Sequence, residues 1–153
     1  MKCYQLVGVP CAGKSTWIKN QDWAIACAYI STDKFVDAYA KEVGKTYSEV
    51  FDEFMPNAVK MMAEEVVLAR EQGRDIIWDQ TSTTLASRRR KFNMLPNYEA
   101  IAVVFKTPEK EELDRRLASR EGKNIPERVM QQMIKHFEMP TEEEGFKEIW
   151  YAS

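Results

Sequence analysis

Cys3-Tyr4-Gln5-Leu6-Val7-Gly8-Val9-Pro10-Cys11-Ala12-Gly13-Lys14-Ser15-Thr16-Trp17-Ile18-Lys19 is the stretch whose reading decides the fold. Residues 3 to 9 form an apolar run that reads as a buried strand, and Gly13 to Lys19 reads as the helix that follows it. Between them, Gly8 and Gly13 occupy the first and sixth positions of a Gly-x-x-x-x-Gly-Lys-Ser segment. With no side chains at these two points, successive backbone amides can converge on an anion. Lys14 then places an ammonium on the outer phosphates of a triphosphate, Ser15 offers a hydroxyl to Mg²⁺, and the helix N-terminus adds partial positive charge. Gly8, Pro10, Cys11, Ala12, Gly13, Lys14, Ser15 and Thr16 are the expected nucleotide-binding residues, with ATP and Mg²⁺ as cofactors. Cys11 is expected as a small filler in this loop rather than as a tuned thiol.

Outward from this P-loop the chain alternates strands and helices. Ala26 to Ile30 reads as a second strand, and Ser31-Thr32-Asp33 can cap a helix over residues 34–43. After Gly44, Ser48 begins a long helical pattern that re-starts at Pro56 and sets Val59, Met62, Ala63, Val66 and Val67 on one face. Asp75-Ile76-Ile77-Trp78-Asp79 has the form of a central parallel strand. Leu85 to Asn93 reads as a helix and Ile101 to Phe105 as the clearest strand. Pro108-Glu109 opens a helix with Leu113 and Leu117 on its inner face, Gly122 ends it, and Pro126 opens another that runs to about Phe137. Ile149-Trp150-Tyr151 is the last strand. The expectation is an α/β fold, a doubly wound parallel sheet of five strands in one domain over residues 1–153, with the ligand crevice at the strands' C-terminal ends.

A chain of 153 residues can bury a core without covalent staples. Cys3, Cys11 and Cys27 are odd in number and lack zinc spacing, as in a reduced protein. The apolar stretch at the N-terminus is interrupted by Gly8 and Pro10, too early for a signal segment or a membrane span. A cytoplasmic protein without membrane contact is expected, and no protein partner can be inferred. Lysine and arginine number 22 against 24 acidic residues, a net charge of -2, so any polyanion site must be local. The densest basic run is Arg88-Arg89-Arg90-Lys91, and Arg115, Arg116, Arg120 and Lys123 form a second group. Glu142-Glu143-Glu144 is expected to lie away from both.

Several charged residues admit two roles each. Asp33 follows the second strand, where it can take the proton of an attacking hydroxyl or act as an ordinary N-cap. Asp79 can orient Mg²⁺ through water, hold the acceptor, or be a solvated loop carboxylate. Successive helical positions turn by about 100°, so only one or two of the residues from Arg88 to Arg90 can touch a substrate, and a solvated run is the alternative. Arg116 and Arg120 lie four apart on one face, before a Gly122-Lys123-Asn124 break that can serve as a hinge. Glu112 is placed to pair with Arg116, which leaves Arg120 as the better catalytic candidate. His136 is expected to be structural or solvated, Met55, Met61, Met62, Met130, Met133 and Met139 to be core filler, and Trp17, Trp23, Trp78 and Trp150 to pack the core.

In their order these pieces resemble the 5′-hydroxyl polynucleotide kinase family. The matching segments are Gly8 to Trp17, Ser31-Thr32-Asp33, Asp79-Gln80-Thr81 with Arg88-Arg89-Arg90, and Arg120-Glu121-Gly122-Lys123-Asn124-Ile125-Pro126, together spanning nearly the whole chain. The resemblance implies transfer of the γ-phosphoryl group of ATP to the 5′ end of DNA or RNA. It makes Asp33 the general base, Lys14 and Ser15 the holders of phosphates and Mg²⁺, and Arg120 the lid arginine, with Arg116 on the nucleotide. Asp79, with Thr81 and Arg88, would arrange the acceptor. Location would be cytoplasmic, or the host cytosol for a phage-encoded chain. In phage enzymes an arginine three residues after the catalytic Asp contacts the acceptor's 3′-phosphate; Val36 stands there. The stretches Asp79 to Lys91, Ile125 to Phe137, Pro140 and Glu148 to Tyr151 are also similar to the nucleotide-binding region of heterogeneous nuclear ribonucleoprotein U, which binds RNA. Three readings are therefore open: a polynucleotide kinase, a kinase for a nucleoside, nucleotide or other small hydroxyl compound, and an ATP-regulated RNA-binding module.

Overall fold

The apolar runs pair side by side in one parallel sheet, in a computed structural model that describes residues 1–152. Its strands are β1 (Lys2–Val7), β2 (Ala28–Ile30), β3 (Ile76–Trp78), β4 (Glu99–Phe105) and β5 (Phe146–Ala152), in the order β2-β3-β1-β4-β5. β1 is central, with Gln5 opposite Trp78 of β3 and Val7 opposite Val104 of β4. Helices cover both faces, so the strands are continuous apolar runs: every residue from Ala100 to Phe105 is buried. The doubly wound parallel architecture is as the sequence predicts. Strand β2 is shorter than expected, because residues 22–26 form a 3₁₀ turn that delays it to Ala28.

Six helices connect the strands: α1 (Lys14–Lys19), α2 (Asp33–Val43), α3 (Tyr47–Glu71), α4 (Leu85–Met94), α5 (Lys110–Ala118) and α6 (Glu127–Lys135). The sequence reading of α3 needs three corrections. It starts at Tyr47, before Ser48, because Thr46 and Glu49 form a reciprocal capping box: the Glu49 amide donates to Thr46 Oγ1 at 3.2 Å, and the Thr46 amide to Glu49 Oε1 at 2.9 Å. Pro56 does not restart the helix but lies inside it. Val50 and Ala58, on either side of the proline, both pack against Val36 and Ala40 of α2, and this burial holds the helix continuous across the lost hydrogen bond. The inner face is also rotated from the expected one: Val50, Ala58, Met62, Val66 and Ala69 are buried, whereas Val59 and Val67 are exposed.

One core lies between the sheet and α3, around Cys3, Ile30, Met62, Val66, Ile76 and Trp78. The other, on the opposite face, holds Tyr4, Leu6, Ile77, Val103 and Phe105, with Trp17 and Trp150 against it. Trp78 is fully buried, and Trp17 meets Phe105 edge-on at 6.0 Å between ring centroids, so these tryptophans pack the core. Met61 and Met139, expected as core filler, are exposed. All three cysteines are free. Among the described residues no helix is long and apolar enough to cross a membrane.

Candidate active site

β1 delivers the chain into the P-loop at the C-terminal edge of the sheet. A Cβ on Gly8 would lie 2.9 Å from Cβ of Phe105, so β4 passes too close for any side chain at this position. The Gly8 amide donates to the Thr81 carbonyl at 2.9 Å, tying the P-loop to the loop that follows β3. Cys11 (φ 67) and Gly13 (φ 104) both take left-handed backbone conformations, the alternation that turns successive amides to one side as an anion nest. The helical ladder of α1 begins with Trp17 N to Gly13 O at 3.0 Å, so the amides of Lys14, Ser15 and Thr16 precede it. Lys14 Nζ donates to the Gly8 carbonyl at 2.7 Å, which lays its side chain across the loop.

Charges of both signs converge on Lys14. Burial pulls its ammonium below the ordinary lysine range, Asp79 and Asp33 push it back up, and Arg120 pulls it down. Asp79 leaves the end of β3 with its amide donating to the Ile30 carbonyl at 2.7 Å, and its carboxylate accepts the Tyr29 phenol. Burial holds the Asp79 carboxyl above the usual range, against the opposing pull of Tyr29 and Lys14. Asp33 is the first residue of α2. Its amide is covered by Ser31 Oγ at 3.1 Å, and its own Oδ1 accepts the Tyr47 phenol at 2.6 Å, so the carboxylate serves Tyr47 rather than its helix end. Burial, and then Asp33, keep Tyr47 protonated well above the ordinary phenol range. No motif in the sequence marks Tyr29 or Tyr47.

Over the loop lies the end of α5. Arg116 does two things at once: Nε donates to Glu112 Oε1 at 2.7 Å, as its spacing predicts, and Nη1 donates to the Cys11 carbonyl at 2.9 Å. Arg120 Nη1 lies 3.5 Å from Cys11 Sγ. The segment that follows is fastened to the start of α3. Ser48 N donates to the Gly122 carbonyl at 3.0 Å, and Asn124 N donates to Ser48 Oγ at 2.7 Å. Lys123 pairs with Asp37 at 3.0 Å and lies 4.7 Å from the centroid of the Tyr47 ring. Lys14, Asp33, Asp79 and Arg120 are thus brought around one P-loop from four separate elements. The exposed Ser15 hydroxyl and the Asp79 carboxylate are hard oxygen donors of the kind Mg²⁺ takes beside substrate phosphates, so the residues fit that ion.

The basic run needs correction. Arg88 is fully buried, its Nε and Nη2 on Glu144 at 2.8 and 3.1 Å and its Nη1 on the Ser82 carbonyl at 2.9 Å, so it cannot meet a substrate. The acidic run is therefore not remote from the basic one. Lys91 is buried as well, with Nζ 5.4 Å from the Trp78 ring centroid and 3.3 Å from the Ser87 carbonyl. Arg89 and Arg90 are the exposed members. Thr81 lies beside the P-loop through its carbonyl bond to Gly8. Val36, buried completely between α2 and α3, faces the core instead of the site.

A candidate kinase from Chloroflexus aurantiacus J-10-fl superposes with a TM-score of 0.71 at 15% identity, covering 99% of this chain and 84% of that one. Chaetomium thermophilum Kti12, solved with ADP-AlF3, gives 0.62 at 16% identity over 99% and 88% of the two chains. A sugar kinase from Janibacter sp. HTCC2649 gives 0.61 at 16% identity over 99% and 85%. At these identities the likeness is one of fold, that of P-loop kinases. The AAA domain family model matches residues 5–140, from inside β1 to beyond α6, and the chain belongs to that family.

Proposed function

We propose that this protein is an ATP-dependent kinase that transfers the γ-phosphoryl group to a hydroxyl, with the 5′ end of a polynucleotide as acceptor. The observation that carries the reading is the gathering of charged groups at the phosphate-binding loop: Lys14 lies across it on the Gly8 carbonyl, Arg120 reaches Cys11, and Asp79 precedes the Thr81 carbonyl that takes the Gly8 amide, with Asp33 and Asp79 both raising the Lys14 ammonium. Bound ATP supplies the phosphoryl group, and Mg²⁺ supplies charge that Ser15 and Asp79 are chemically suited to help hold. Asp33 accepts the proton as the acceptor's O–H bond breaks and its oxygen bonds to phosphorus; the bond to the bridging oxygen breaks, and its electron pair leaves with ADP. Lys14 and Arg120 oppose the negative charge on the transferred group, and Asp79 with Tyr29 flanks the acceptor side. Kti12, of the same fold, was solved with ADP-AlF3, which supports the nucleotide.

Support for a polynucleotide acceptor comes from the order of motifs along the chain and from an acceptor side that is open, with Asp33 exposed and Tyr29 40% exposed. A second reading, a kinase for a small hydroxyl compound, is favoured by the burial of Arg88, Lys91 and Val36, which leaves Arg89 and Arg90 as the only members of the basic run open to a long anionic strand. One structural neighbour is a sugar kinase. The discriminating experiment incubates the protein with labelled ATP and, separately, a 5′-hydroxyl oligonucleotide, a nucleoside 3′-monophosphate and a nucleoside over a salt series. The expected result is labelling of the oligonucleotide, with little gain for the 3′-monophosphate over the nucleoside. Labelling of the nucleoside alone transfers the assignment to the small-molecule reading, and ATP and RNA binding without labelling transfers it to the RNA-binding module.

A further inference from the structure

We infer that Tyr47 is the positioning residue for Asp33, fixing which carboxylate oxygen meets the acceptor and joining that alignment to the segment that carries Arg120. The inference rests on the reading of Asp33 as the proton acceptor. An exposed aspartate at the first position of a helix has free rotamers unless something outside holds it. Its own helix end does not, since Thr32 makes no side-chain cap bond and Ser31 covers the Asp33 amide. The hold comes from Tyr47, whose hydroxyl donates to Oδ1 at 2.6 Å and leaves Oδ2 for the acceptor's proton.

Tyr47 is itself rigidly rooted. It is the first residue of α3, inside the Thr46–Glu49 capping box. Its ring meets Phe51 at 5.5 Å between centroids and Lys123 at 4.7 Å. Lys123 stands three residues beyond Arg120, in the segment that also bonds Ser48. Arg120 over the P-loop and the oriented oxygen of Asp33 are therefore set by one contact surface. A neutral phenol, kept protonated by its surroundings, can orient the carboxylate without competing for the proton.

The test compares wild type, Tyr47→Phe, Asp33→Asn and the double variant. ATP turnover is measured with a 5′-hydroxyl oligonucleotide and, independently of any acceptor assignment, with water. Phenylalanine keeps the ring contacts and removes only the hydroxyl, so a cooperative thermal melt should be retained with only a small fall in its midpoint. The expected result is a fall in kcat on the order of tenfold with KM for ATP unchanged, the effect of losing one hydrogen bond to a charged group. In the Asp33→Asn background the same change should have no further effect, because no base remains to be aligned. Normal turnover in Tyr47→Phe beside an impaired Asp33→Asn, or additive losses in the double variant, overturns the inference and leaves the base assignment standing. Normal turnover in Asp33→Asn overturns both.

Discussion

Arg88 of α4 and Glu144, 56 residues apart in sequence, face each other inside the protein with both carboxylate oxygens engaged, Nε to Oε1 at 2.8 Å and Nη2 to Oε2 at 3.1 Å. The third contact, Nη1 to the Ser82 carbonyl at 2.9 Å, holds the loop that follows Asp79 and joins the P-loop through Thr81. Truncating Arg88 leaves the Glu144 carboxylate buried without its partner. Arg88→Ala should therefore cost on the order of 3–5 kcal/mol, read as a large fall in the thermal midpoint. Arg88→Lys should recover little of it, because an ammonium cannot reproduce the planar two-point contact. A melt close to wild type in either variant would show that this pair does not anchor the loop.

Lys14 contacts the Gly8 carbonyl and packs no core residue. Lys14→Ala should therefore keep the wild-type circular dichroism spectrum and melt, while phosphoryl transfer falls by about a hundredfold or more as charge on the transferred group goes unopposed. Retention of most turnover in the folded variant contradicts the assignment of the loop as a catalytic phosphate site.

For Arg120 the informative quantity is the split between rate and affinity. Its guanidinium reaches Cys11 in the P-loop from just past the end of α5, where under the proposed function it would face charge that develops during transfer. Arg120→Ala should lower kcat by about a hundredfold or more and change ATP affinity only a few-fold. Equal losses in both would mark a ground-state contact.

Lys91 gives a pH signature. Burial, assisted by Arg90, lowers its ammonium to about 8, whereas an unfolded lysine titrates at 10.5. Below pH 8 the folded protein carries a buried charge; between about 8 and 10.5 the unfolded chain binds more protons, so stability rises with pH across that window. Lys91→Met, an unbranched side chain one atom shorter and without the charge, should stabilise the protein at pH 7 by about 1–2 kcal/mol, after the lost contacts to Trp78 and Ser87 are subtracted. The advantage should shrink as denaturation is repeated at rising pH through the window. A constant difference at every pH would contradict the burial of a charged lysine.

What could be read from the sequence was what is written locally. The P-loop and its flanking strand and helix lie within residues 2–19, and the apolar runs of β3 and β4 are contiguous, so periodicity and motif spacing suffice for them. Asp79 is legible because it directly follows β3, and Asp33 because it opens the helix just past β2. Tyr47 is not, because its meaning comes from a contact with Asp33 across the α2–α3 turn, and a tyrosine at a helix start carries no signature of its own. Arg88 differs from its sequence reading for a similar reason. A run of four basic residues resembles a solvated patch until the fold brings Glu144 beside one of them and buries it. The phase of α3 slipped because the run contains apolar residues on neighbouring faces, and only contact with α2 and the sheet selects Ala58 and Met62 over Val59.

The close passage of β4 past Gly8 has a consequence for how this sequence can drift. The atom that a Cβ at position 8 would strike is Cβ of Phe105, 2.9 Å away, and every residue except glycine carries that atom. Shrinking the neighbour therefore gives no relief: alanine at 105 presents the same obstacle as phenylalanine. Compensation would need a glycine at the end of β4, where a residue packed in the core would lose its whole side chain. Position 8 is thus closed to change by the neighbouring strand as well as by the phosphate loop. A variant there would loosen the sheet whether or not nucleotide binding had been given up, so Gly8 should persist in descendants of this chain that no longer carry out any phosphoryl transfer.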